Sequence, residues 1–380
     1  MRIIHVTDYG SPYAGAFMPM MRTALTRIRA RGWEPLVTFP PRARTRSREW
    51  LPQLQAEHGD ELQFAPDVPR RELGAWLGEV VASGSGPTIL HSHMTKYDLA
   101  VAGLARQRDD VRAIWHFHTV LNDGLRAQVR NRLRFALASR YVERMLCAGP
   151  GLVEAICARG APRDKVIHFP NGLDVKRFPV DIGADERAAA RSALGVPSDA
   201  TVLLHFSRDW RLKGGDLFLE AFRLLSDRDD LFALMLRGGD DARAEVARHR
   251  LGDRALVLED VPDVRQLYAA SDLMMATSRG EGEPLAVLEA LASGLGVVAT
   301  DIPGHSGLSS GPPGVYLAPL AAEGIAKTAA TVLDRDPELA RRESAASHEW
   351  VMTERGLEAW GDRLIALYEE ISRDWRAAAR

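Results

Sequence analysis

The sequence has few cysteines and no long apolar stretch. Only two of its 380 residues are cysteine, Cys147 and Cys157, and their spacing is not that of a metal-binding pair. This scarcity argues against a disulfide framework and favours a reducing cytoplasm. No apolar run approaches the ~20 residues of a membrane-spanning helix, and the run after Arg2 is too short for a signal-peptide core. We therefore expect a cytoplasmic protein that contacts a membrane, if at all, only peripherally at the inner membrane.

Charge is nearly balanced over the whole chain but unevenly distributed along it. The net charge is −2, yet residues 1–175 carry 24 Lys and Arg against 17 Asp and Glu, which gives +7. The remaining residues carry 25 against 34, which gives −9. This change of sign supports a domain boundary near residue 175. A basic first half could attract an anionic acceptor or lipid headgroups, although a solvated arginine-rich surface explains the same composition.

Nucleic-acid binding is not predicted. Four arginines alternate in a predicted loop behind Pro40 and Pro41, but no aromatic residues are interleaved with them as a nucleic-acid surface would require. They are Arg42, Arg44, Arg46 and Arg48. A solvated loop is the simpler interpretation, with an acceptor-side or membrane-surface loop as the alternatives.

Length and periodicity predict two α/β domains. At 380 residues with 46% apolar content, the chain can bury two cores. Strands and helices alternate throughout, which is typical of parallel sheets with helices on both faces. Predicted strands lie at 3–7, 34–38, 87–91, 111–117, 144–147, 164–169, 201–206, 231–236, 255–258, 272–276 and 296–299. We predict a doubly wound, Rossmann-like domain in 1–175 and another in 186–355, joined by a linker at 172–185, with ligands beyond the carboxyl ends of the strands.

Two glutamates eight residues apart indicate a site for a sugar nucleotide. Glu281 is predicted to lie in a loop after the strand at 272–276, and Glu289 on the helix that this loop enters at Pro284. The start of that helix suits an anion such as a diphosphate. Carboxylates accept hydrogen bonds from hydroxyl groups, so the pair suits ribose and sugar hydroxyls beside a diphosphate.

Three segments resemble one family in order along the chain. The run Ser278 to Glu289 resembles the E-x7-E signature of retaining glycosyltransferases of family four, which have the GT-B fold. Phe169 to Asp174 resembles the interdomain Pro-Asn-Gly segment of that family, and Arg208 with Lys213 resembles its diphosphate-binding pair. The resemblance covers nearly the whole chain and is most specific in the second half.

The resemblance implies roles for the donor site. Glu289 would bind ribose, Glu281 would hold hydroxyls of the donor sugar, and Arg208 and Lys213 would neutralise the leaving diphosphate. The loop of Gly282, Glu283, Pro284 and Leu285 would contact the sugar. An apolar residue is usual at Glu283, so the extra carboxylate could alter which sugar fits, by meeting an amino group or a nearby arginine.

Further candidate residues are predicted in both halves. The resemblance implies that Gly15, in the loop after the first strand, faces the donor diphosphate and acceptor. Val261 with Pro262, in the loop after the strand at 255–258, would touch the base. His118 would emerge at the carboxyl end of a strand, where the family places a histidine against the donor sugar. His91 and His93 are interpreted as buried hydrogen-bonding groups, because no third metal ligand is evident at a credible spacing.

The expected activity is therefore retaining, metal-independent glycosyl transfer from a nucleoside-diphosphate sugar to an acceptor hydroxyl, without a cofactor. A terminal helix at 356–375 is expected to pack back on the first domain. Two alternatives remain open: a sugar-nucleotide epimerase of the same fold and a non-catalytic sugar-nucleotide-binding module. The sequence names neither the donor base, the donor sugar nor the acceptor.

Overall fold

The chain forms two compact units. The computed structural model describes residues 1–119, 121, 124–180, 182–261, 263–308 and 311–378. Unit 1 comprises Met1–Gly172 and the C-terminal segment from Leu357, and unit 2 comprises Leu173–Gly356. The predicted linker differs from this division, because Leu173, Val175 and Phe178 are buried in the core of unit 2 and belong to that unit.

Unit 1 contains a seven-stranded parallel sheet in the order β3-β2-β1-β4-β5-β6-β7. Its strands are β1 Arg2–Val6, β2 Glu34–Phe39, β3 Leu62–Phe64, β4 Thr88–His93, β5 Val111–Phe117, β6 Arg144–Cys147 and β7 Val166–His168. Its first helices are α1 Phe17–Ala30, α2 Ala43–Arg46, α3 Leu51–His58, α4 Leu73–Ala82, α5 Asp98–Gln107, α6 Leu125–Ala138 and α7 Pro150–Cys157.

Unit 2 contains a six-stranded parallel sheet in the order β10-β9-β8-β11-β12-β13. Its strands are β8 Thr201–Phe206, β9 Leu231–Leu236, β10 Ala255–Leu258, β11 Leu273–Ala276, β12 Gly296–Thr300 and β13 Val315–Ala318. Its helices are α8 Ala184–Leu194, α9 Trp210–Lys213, α10 Gly215–Leu224, α11 Gly239–Arg248, α12 Arg265–Ala270, α13 Leu285–Ala292, α14 Pro303–Ser306, α15 Ala322–Leu333 and α16 Pro337–Arg355.

The last helix, α17 Leu357–Ala378, belongs to unit 1 and packs against α1. Trp360, Leu364 and Tyr368 recur at a spacing of four and are all buried in the core of unit 1. This spacing places the three side chains on one face of the helix. In the described ranges, no helix combines the length and apolar character needed to cross a bilayer.

Each sheet is covered on both faces. In unit 1, Ala113, Trp115 and Phe117 of β5 point into one core, while Ile114 points into the other. This alternation follows the period of two of an extended strand. The strand order reverses between β1 and β4 and again between β8 and β11, and ligands of doubly wound sheets bind at such points.

Two predictions of local structure need correction. The arginines at 42–48 do not form an open loop, because residues 43–46 are helical and the Arg42 guanidinium donates to Asp8 Oδ1 over 2.8 Å. Strands β3 and β13 were not predicted. They have three and four residues respectively, and lie at sheet edges, where little apolar burial marks them in the sequence.

Candidate active site

The candidate site of unit 2 lies at the point where the strand order reverses. The loops that follow β8 and β11 are tied together: Thr277 Oγ1 donates to the Gly214 carbonyl over 2.7 Å, and the Arg279 N–H donates to the Leu212 carbonyl over 2.8 Å. Gly214 has φ +68°, and a Cβ there would overlap the Thr277 carbonyl oxygen. The close approach of the two loops thus requires glycine at this position.

This arrangement brings Lys213 and Glu281 together. Lys213 Nζ lies 2.7 Å from Glu281 Oε1 and 2.9 Å from Oε2, and Ser278 Oγ donates to Oε1 over 2.6 Å. The Glu281 side chain is 11% exposed and that of Lys213 is 29% exposed, so the pair is only partly open to solvent. A lysine ammonium has three donors, and it can therefore hold the carboxylate and still donate to a phosphate oxygen.

Arg208 lies beyond the end of β8, near the same loop. Its side chain is exposed, and it forms no hydrogen bond or ion pair with any other residue within the described ranges. The next residue, Asp209, has φ +60° and caps α9, accepting from the Leu212 N–H over 3.4 Å. Arg208 thus supplies an exposed cation on the same loop as the fixed one, Lys213.

Glu289 lies on α13 and is held by a tyrosine. The Tyr268 hydroxyl donates to Glu289 Oε2 over 2.6 Å. Burial raises the pKa of Glu289, against the opposing effects of the Tyr268 hydrogen bond and the positive charge of Arg177. One carboxylate oxygen is therefore fixed by the protein, and the other is available to accept hydroxyl hydrogens.

The loop that leads into α13 is largely buried. Gly282 and Pro284 are buried, and Pro284 immediately precedes the helix, which begins at Leu285. The Leu285 N–H donates to the Glu283 carbonyl over 3.0 Å, so this donor is not open to a diphosphate here. The Glu283 side chain is 6% exposed and forms an ion pair with Arg355, Oε1 to Nε 3.6 Å. An amino group and a nearby arginine were the two partners predicted for Glu283, and the structure shows the arginine.

His305 joins this site although sequence reasoning assigned it no role. Its ring is fully buried, Nδ1 donates to the Thr300 carbonyl over 2.8 Å, and Nε2 has no hydrogen-bond partner in the described residues. Burial lowers the pKa of His305, with a smaller opposing effect from the negative charge of Glu281. Gly304 brings the loop close, because a Cβ there would lie 2.6 Å from Glu281 Cβ.

Val261 is partly buried and packs against the core of unit 2. Pro262, which was predicted to touch the base together with Val261, lies outside the described residues. The structure thus places Val261 beyond β10, in the same unit as the Lys213–Glu281 pair, and gives it no polar contact that would define a base site.

In unit 1, the loop after β1 folds around a tyrosine hydroxyl. Tyr9 Oη lies 2.8 Å from the Tyr13 carbonyl oxygen and 2.9 Å from that of Ala14. Gly15 is exposed with φ +51°, a backbone conformation that favours glycine. The loop thus has a defined shape, set by Tyr9, before α1 begins.

His118 belongs to a buried chain of histidines. Its Nδ1 lies 3.0 Å from Asn171 Oδ1, and its Nε2 lies 2.9 Å from His93 Nδ1. Both ring nitrogens of His118 therefore have protein partners, and a sugar hydroxyl would have to replace one of them. Asn171, predicted to be a structural turn residue, is thus also the partner that orients His118.

The chain of hydrogen bonds continues from His93 through the sheet to α17. Strand register makes this possible, because His5 is paired with His91 and His93 with His116 on adjacent strands. The successive links measure 3.0, 3.3, 2.7 and 3.3 Å and join His93 to His5, His5 to Tyr368, Tyr368 to His91 and His91 to His116.

Every ring in this chain is neutral. Each link needs one donor and one acceptor, so the tautomer of each ring is set by those of its neighbours. His116 ends the chain, and a backbone hydrogen bond with Phe169 opposes the lowering of its pKa by burial. Burial lowers the pKa of His5 to about 3 and that of His118 to about 4.

The same histidines are close enough to hold a metal ion. Ring nitrogens of His5, His91 and His93 lie within 4.8 Å of one another, as do those of His93, His116 and His118. The sequence did not reveal His5 as a third ligand, because the register between strands cannot be predicted from the sequence alone. Nine of the ten ring nitrogens are already hydrogen-bonded within the protein, so the cluster is satisfied without an ion.

Solved structures identify the fold. A glycosyltransferase from Rickettsia africae superposes with a TM-score of 0.81 at 16% identity, covering 97% of this chain and 98% of that one. Anabaena Alr3699/HepE, solved with UDP and glucose, gives 0.79 at 18% identity, covering 97% and 100%. With its two doubly wound α/β units, the protein has the GT-B fold of glycosyltransferases.

Sequence comparison identifies the family. The model for Glycosyltransferase Family 4 matches residues 20–177, and the model for Glycosyl transferases group 1 matches residues 200–335. The D-inositol 3-phosphate glycosyltransferase of Geodermatophilus obscurus is 30% identical over 325 residues, which are 77% of this chain and 68% of that protein. The lipopolysaccharide core biosynthesis mannosyltransferase LpsB of Rhizobium meliloti is 28% identical over 271 residues, 66% and 76% of the two chains.

The chain belongs to glycosyltransferase family 4, and the protein is a glycosyltransferase. Other relatives align over less of their length, such as 56% of the D-inositol 3-phosphate glycosyltransferase of Xylanimonas cellulosilytica at 30% identity.

Proposed function

We propose that the protein transfers a sugar from a nucleoside-diphosphate donor to an acceptor hydroxyl, with retention of configuration and without a metal ion. The observation that carries the proposal is the cluster of Lys213, Glu281 and Ser278 where the strand order of unit 2 reverses. A cation and a carboxylate in contact there suit a diphosphate and a sugar bound side by side.

The donor would lie along the loops of unit 2. Glu289, fixed by Tyr268, accepts from the ribose hydroxyls, while Arg208 and Lys213 hold the diphosphate and Glu281 holds the sugar. Val261 lies toward the base, and Gly282, Glu283, Pro284 and Leu285 form the wall beside the sugar. In unit 1, Gly15 and His118 stay predicted contacts of the donor.

The chemistry follows from where charge develops. As the bond from sugar to diphosphate breaks, the sugar acquires oxocarbenium character and the diphosphate oxygen gains negative charge. Cations already in place stabilise that oxygen more strongly in the transition state than in the ground state. The departing phosphate then takes the acceptor proton on the same face. In this proposal the cations of Arg208 and Lys213 take the place of a divalent ion at the leaving oxygen.

The relatives support the class of donor and leave its base open. One solved neighbour, Anabaena Alr3699/HepE, is described in complex with UDP-glucose, and curated relatives are named as a mannosyltransferase and as inositol phosphate glycosyltransferases. A test of the proposal therefore starts from a panel of UDP-, GDP- and ADP-sugars, ranked by calorimetric affinity.

The best donor is then incubated with candidate acceptors in excess EDTA. Transfer with retention at the anomeric carbon, read by NMR and unaffected by EDTA, supports the proposal. An epimerised nucleotide sugar formed without acceptor would instead establish an epimerase, and tight donor binding with no product would indicate a binding module. Loss of transfer in EDTA that Mg²⁺ restores would contradict metal independence.

Glu289→Ala is expected to weaken the binding of the nucleoside diphosphate alone by about 10- to 100-fold, because hydrogen bonds to a charged group contribute roughly 1.5–3 kcal/mol each. Isothermal titration calorimetry measures the change. Glu323→Ala is the matched control, because Glu323 is an exposed glutamate on α15 of the same unit. Equal affinities of wild type and Glu289→Ala would remove the ribose assignment.

Tyr268→Phe adds a finer test of the same carboxylate. In wild type, the hydrogen bond from the Tyr268 hydroxyl lowers the pKa of Glu289. Without that hydroxyl, burial raises the pKa of Glu289 further. Binding requires the ionised form, and affinity should therefore be lost at a higher pH in the variant than in wild type. If affinity is lost at the same pH in both proteins, the ionisation of Glu289 does not control binding.

A further inference from the structure

A ridge of apolar side chains runs along the exposed face of α6. Leu125, Val129, Leu133 and Leu137 recur every four residues and are 78%, 50%, 56% and 67% exposed. This spacing aligns them along one side of the helix. The opposite side is buried through Ala127, Asn131, Arg134, Phe135 and Ala138. We call the four exposed side chains the leucine ridge.

The ridge borders a groove between α4, α5 and α6. The groove has a volume of about 1430 Å³, and its wall includes small residues of α4 and α5 that keep it deep. These are Gly74, Ala75, Gly78, Ala100 and Gly103. Leu99, which is 57% exposed, stands at its edge. In the described part of unit 1, Leu99 and the leucine ridge are all the large apolar side chains that are exposed, so this face concentrates them.

The charge around the ridge has one sign. Arg70, Arg126 and Arg130 line the groove, and no acidic residue does so in the described ranges. Arg126, Arg130 and Arg132 are exposed and form no ion pair with other described residues. The helix from Leu125 to Ala138 contains no aspartate or glutamate. An apolar ridge flanked by unpaired arginines is typical of a helix that lies in a membrane interface.

We infer that this face docks on an anionic lipid bilayer, with the leucine ridge among the acyl chains and the arginines at the headgroups. The inference goes beyond glycosyl transfer and does not depend on the donor. Charge decides between a bilayer and a second copy of the chain. A symmetric dimer through this face would bring the same arginines together, whereas a bilayer containing phosphatidylglycerol supplies opposite charge along the whole ridge.

Vesicle co-sedimentation of the full chain tests the inference. Wild type is expected to bind vesicles of phosphatidylcholine mixed with phosphatidylglycerol, to bind phosphatidylcholine alone weakly, and to dissociate as salt is raised. Val129→Ser with Leu133→Ser should weaken binding by about tenfold or more, because burying one such side chain contributes roughly 1.5–3 kcal/mol. Arg126→Gln with Arg130→Gln should weaken it about 30-fold, or about fivefold for each arginine.

Leu339→Ser is the matched control, since Leu339 is an exposed leucine (44%) in unit 2. Its vesicle binding should equal that of wild type. Circular dichroism melts establish that unit 1 of the ridge variants is folded, and retained nucleotide affinity shows that unit 2 is intact. The inference is overturned if the folded ridge variants bind vesicles as wild type does, or if wild type ignores phosphatidylglycerol. It is also overturned if wild type forms a dimer without vesicles that the ridge variants abolish, or if only an acidic protein binds this face.

Discussion

Lys213→Ala is expected to lower kcat by about 10²- to 10³-fold, the loss typical of removing one group that stabilises developing negative charge. Lys213 Nζ lies within 2.9 Å of both Glu281 oxygens and is the one cation fixed in that position among the described residues of the candidate site. Removing it leaves the leaving diphosphate with Arg208, which is exposed and has no partner among the described residues to orient it. Steady-state kinetics with the best donor and acceptor measure the change.

Stability separates the catalytic role of Lys213 from a structural one. Lys213→Ala leaves the Glu281 carboxylate, 11% exposed, with Ser278 but without its cation, which should cost about 1–3 kcal/mol of folding free energy. Adding Glu281→Gln removes the unpaired charge and should restore most of that stability without restoring kcat. Lys327→Ala, an exposed lysine on α15, is the control for loss of a surface charge. Unchanged kcat in folded Lys213→Ala would rule out the role at the leaving group.

The sequence predicted which element carries each donor-site residue but not how the side chains meet. Its alternating pattern located β8 and β11, and therefore the loops that hold Lys213 and Glu281. It could not show that these two side chains form an ion pair, because residues 68 positions apart meet only through the order of strands in the sheet. For the same reason, the sequence left an arginine as one of two possible partners of Glu283, and the structure shows that partner to be Arg355.

His305 shows where motif reasoning fails and a topological rule would help. No motif marks it, but it follows β12, which is the neighbour of β11. Residues beyond the carboxyl ends of adjacent parallel strands converge, so sheet order would have singled it out. The leucine ridge had no sequence signal at all, because an apolar face of α6 has the same periodicity whether it is buried or exposed.

The histidine chain of unit 1 was predictable in part: periodicity gave the side of one strand, but not the partners on neighbouring elements. Period two correctly placed His116 of β5 and His118, just beyond the end of that strand, on the same side, with ring centroids 4.0 Å apart. The lateral partners on β1, β4 and α17 depend on strand register and on a helix more than 250 residues away, since Tyr368 meets His91 across 277 positions. A property of the whole unit therefore emerges only in the structure: several neutral histidines share one hydrogen-bonded chain.

Unit 1 is expected to unfold steeply when the pH falls below about 6.5. His5, His91, His93 and His116 are at most 1% exposed. Burial lowers the pKa of His5 to about 3, and burial together with neighbouring histidines lowers the pKa of the other three well below the usual value. A protonated ring would also have no lone pair with which to accept within the chain. The folded unit therefore excludes protons that the unfolded chain binds.

The sign and size of the effect follow from proton linkage. Because the folded pKa values are lowered, the stability is fully present above the unfolded value of about 6.5 and is lost as the pH falls through it. Each histidine adds about 1.4 kcal/mol per pH unit once the pH is well below 6.5, so four approach about 5.5 kcal/mol per pH unit. For a unit stable by about 5–15 kcal/mol, the acid midpoint should lie between about pH 5.5 and pH 4.

His116→Asn tests the mechanism with the smallest disturbance. Asparagine can keep a hydrogen bond to His91 Nε2 and removes one titratable ring from the chain. Its free energy of unfolding should fall with pH by about 1.4 kcal/mol per pH unit less than that of wild type, whatever its stability at pH 8. Gln55→Asn, at an exposed glutamine on α3 of the same unit, should leave the slope unchanged because it removes no titratable group. Urea unfolding followed from pH 8 to pH 4.5, with calorimetry in buffers of different ionisation enthalpy, measures the slope and counts the protons taken up. Uptake of fewer than two protons on unfolding of unit 1 at about pH 5.5 would mean that the buried rings are already protonated in the folded state.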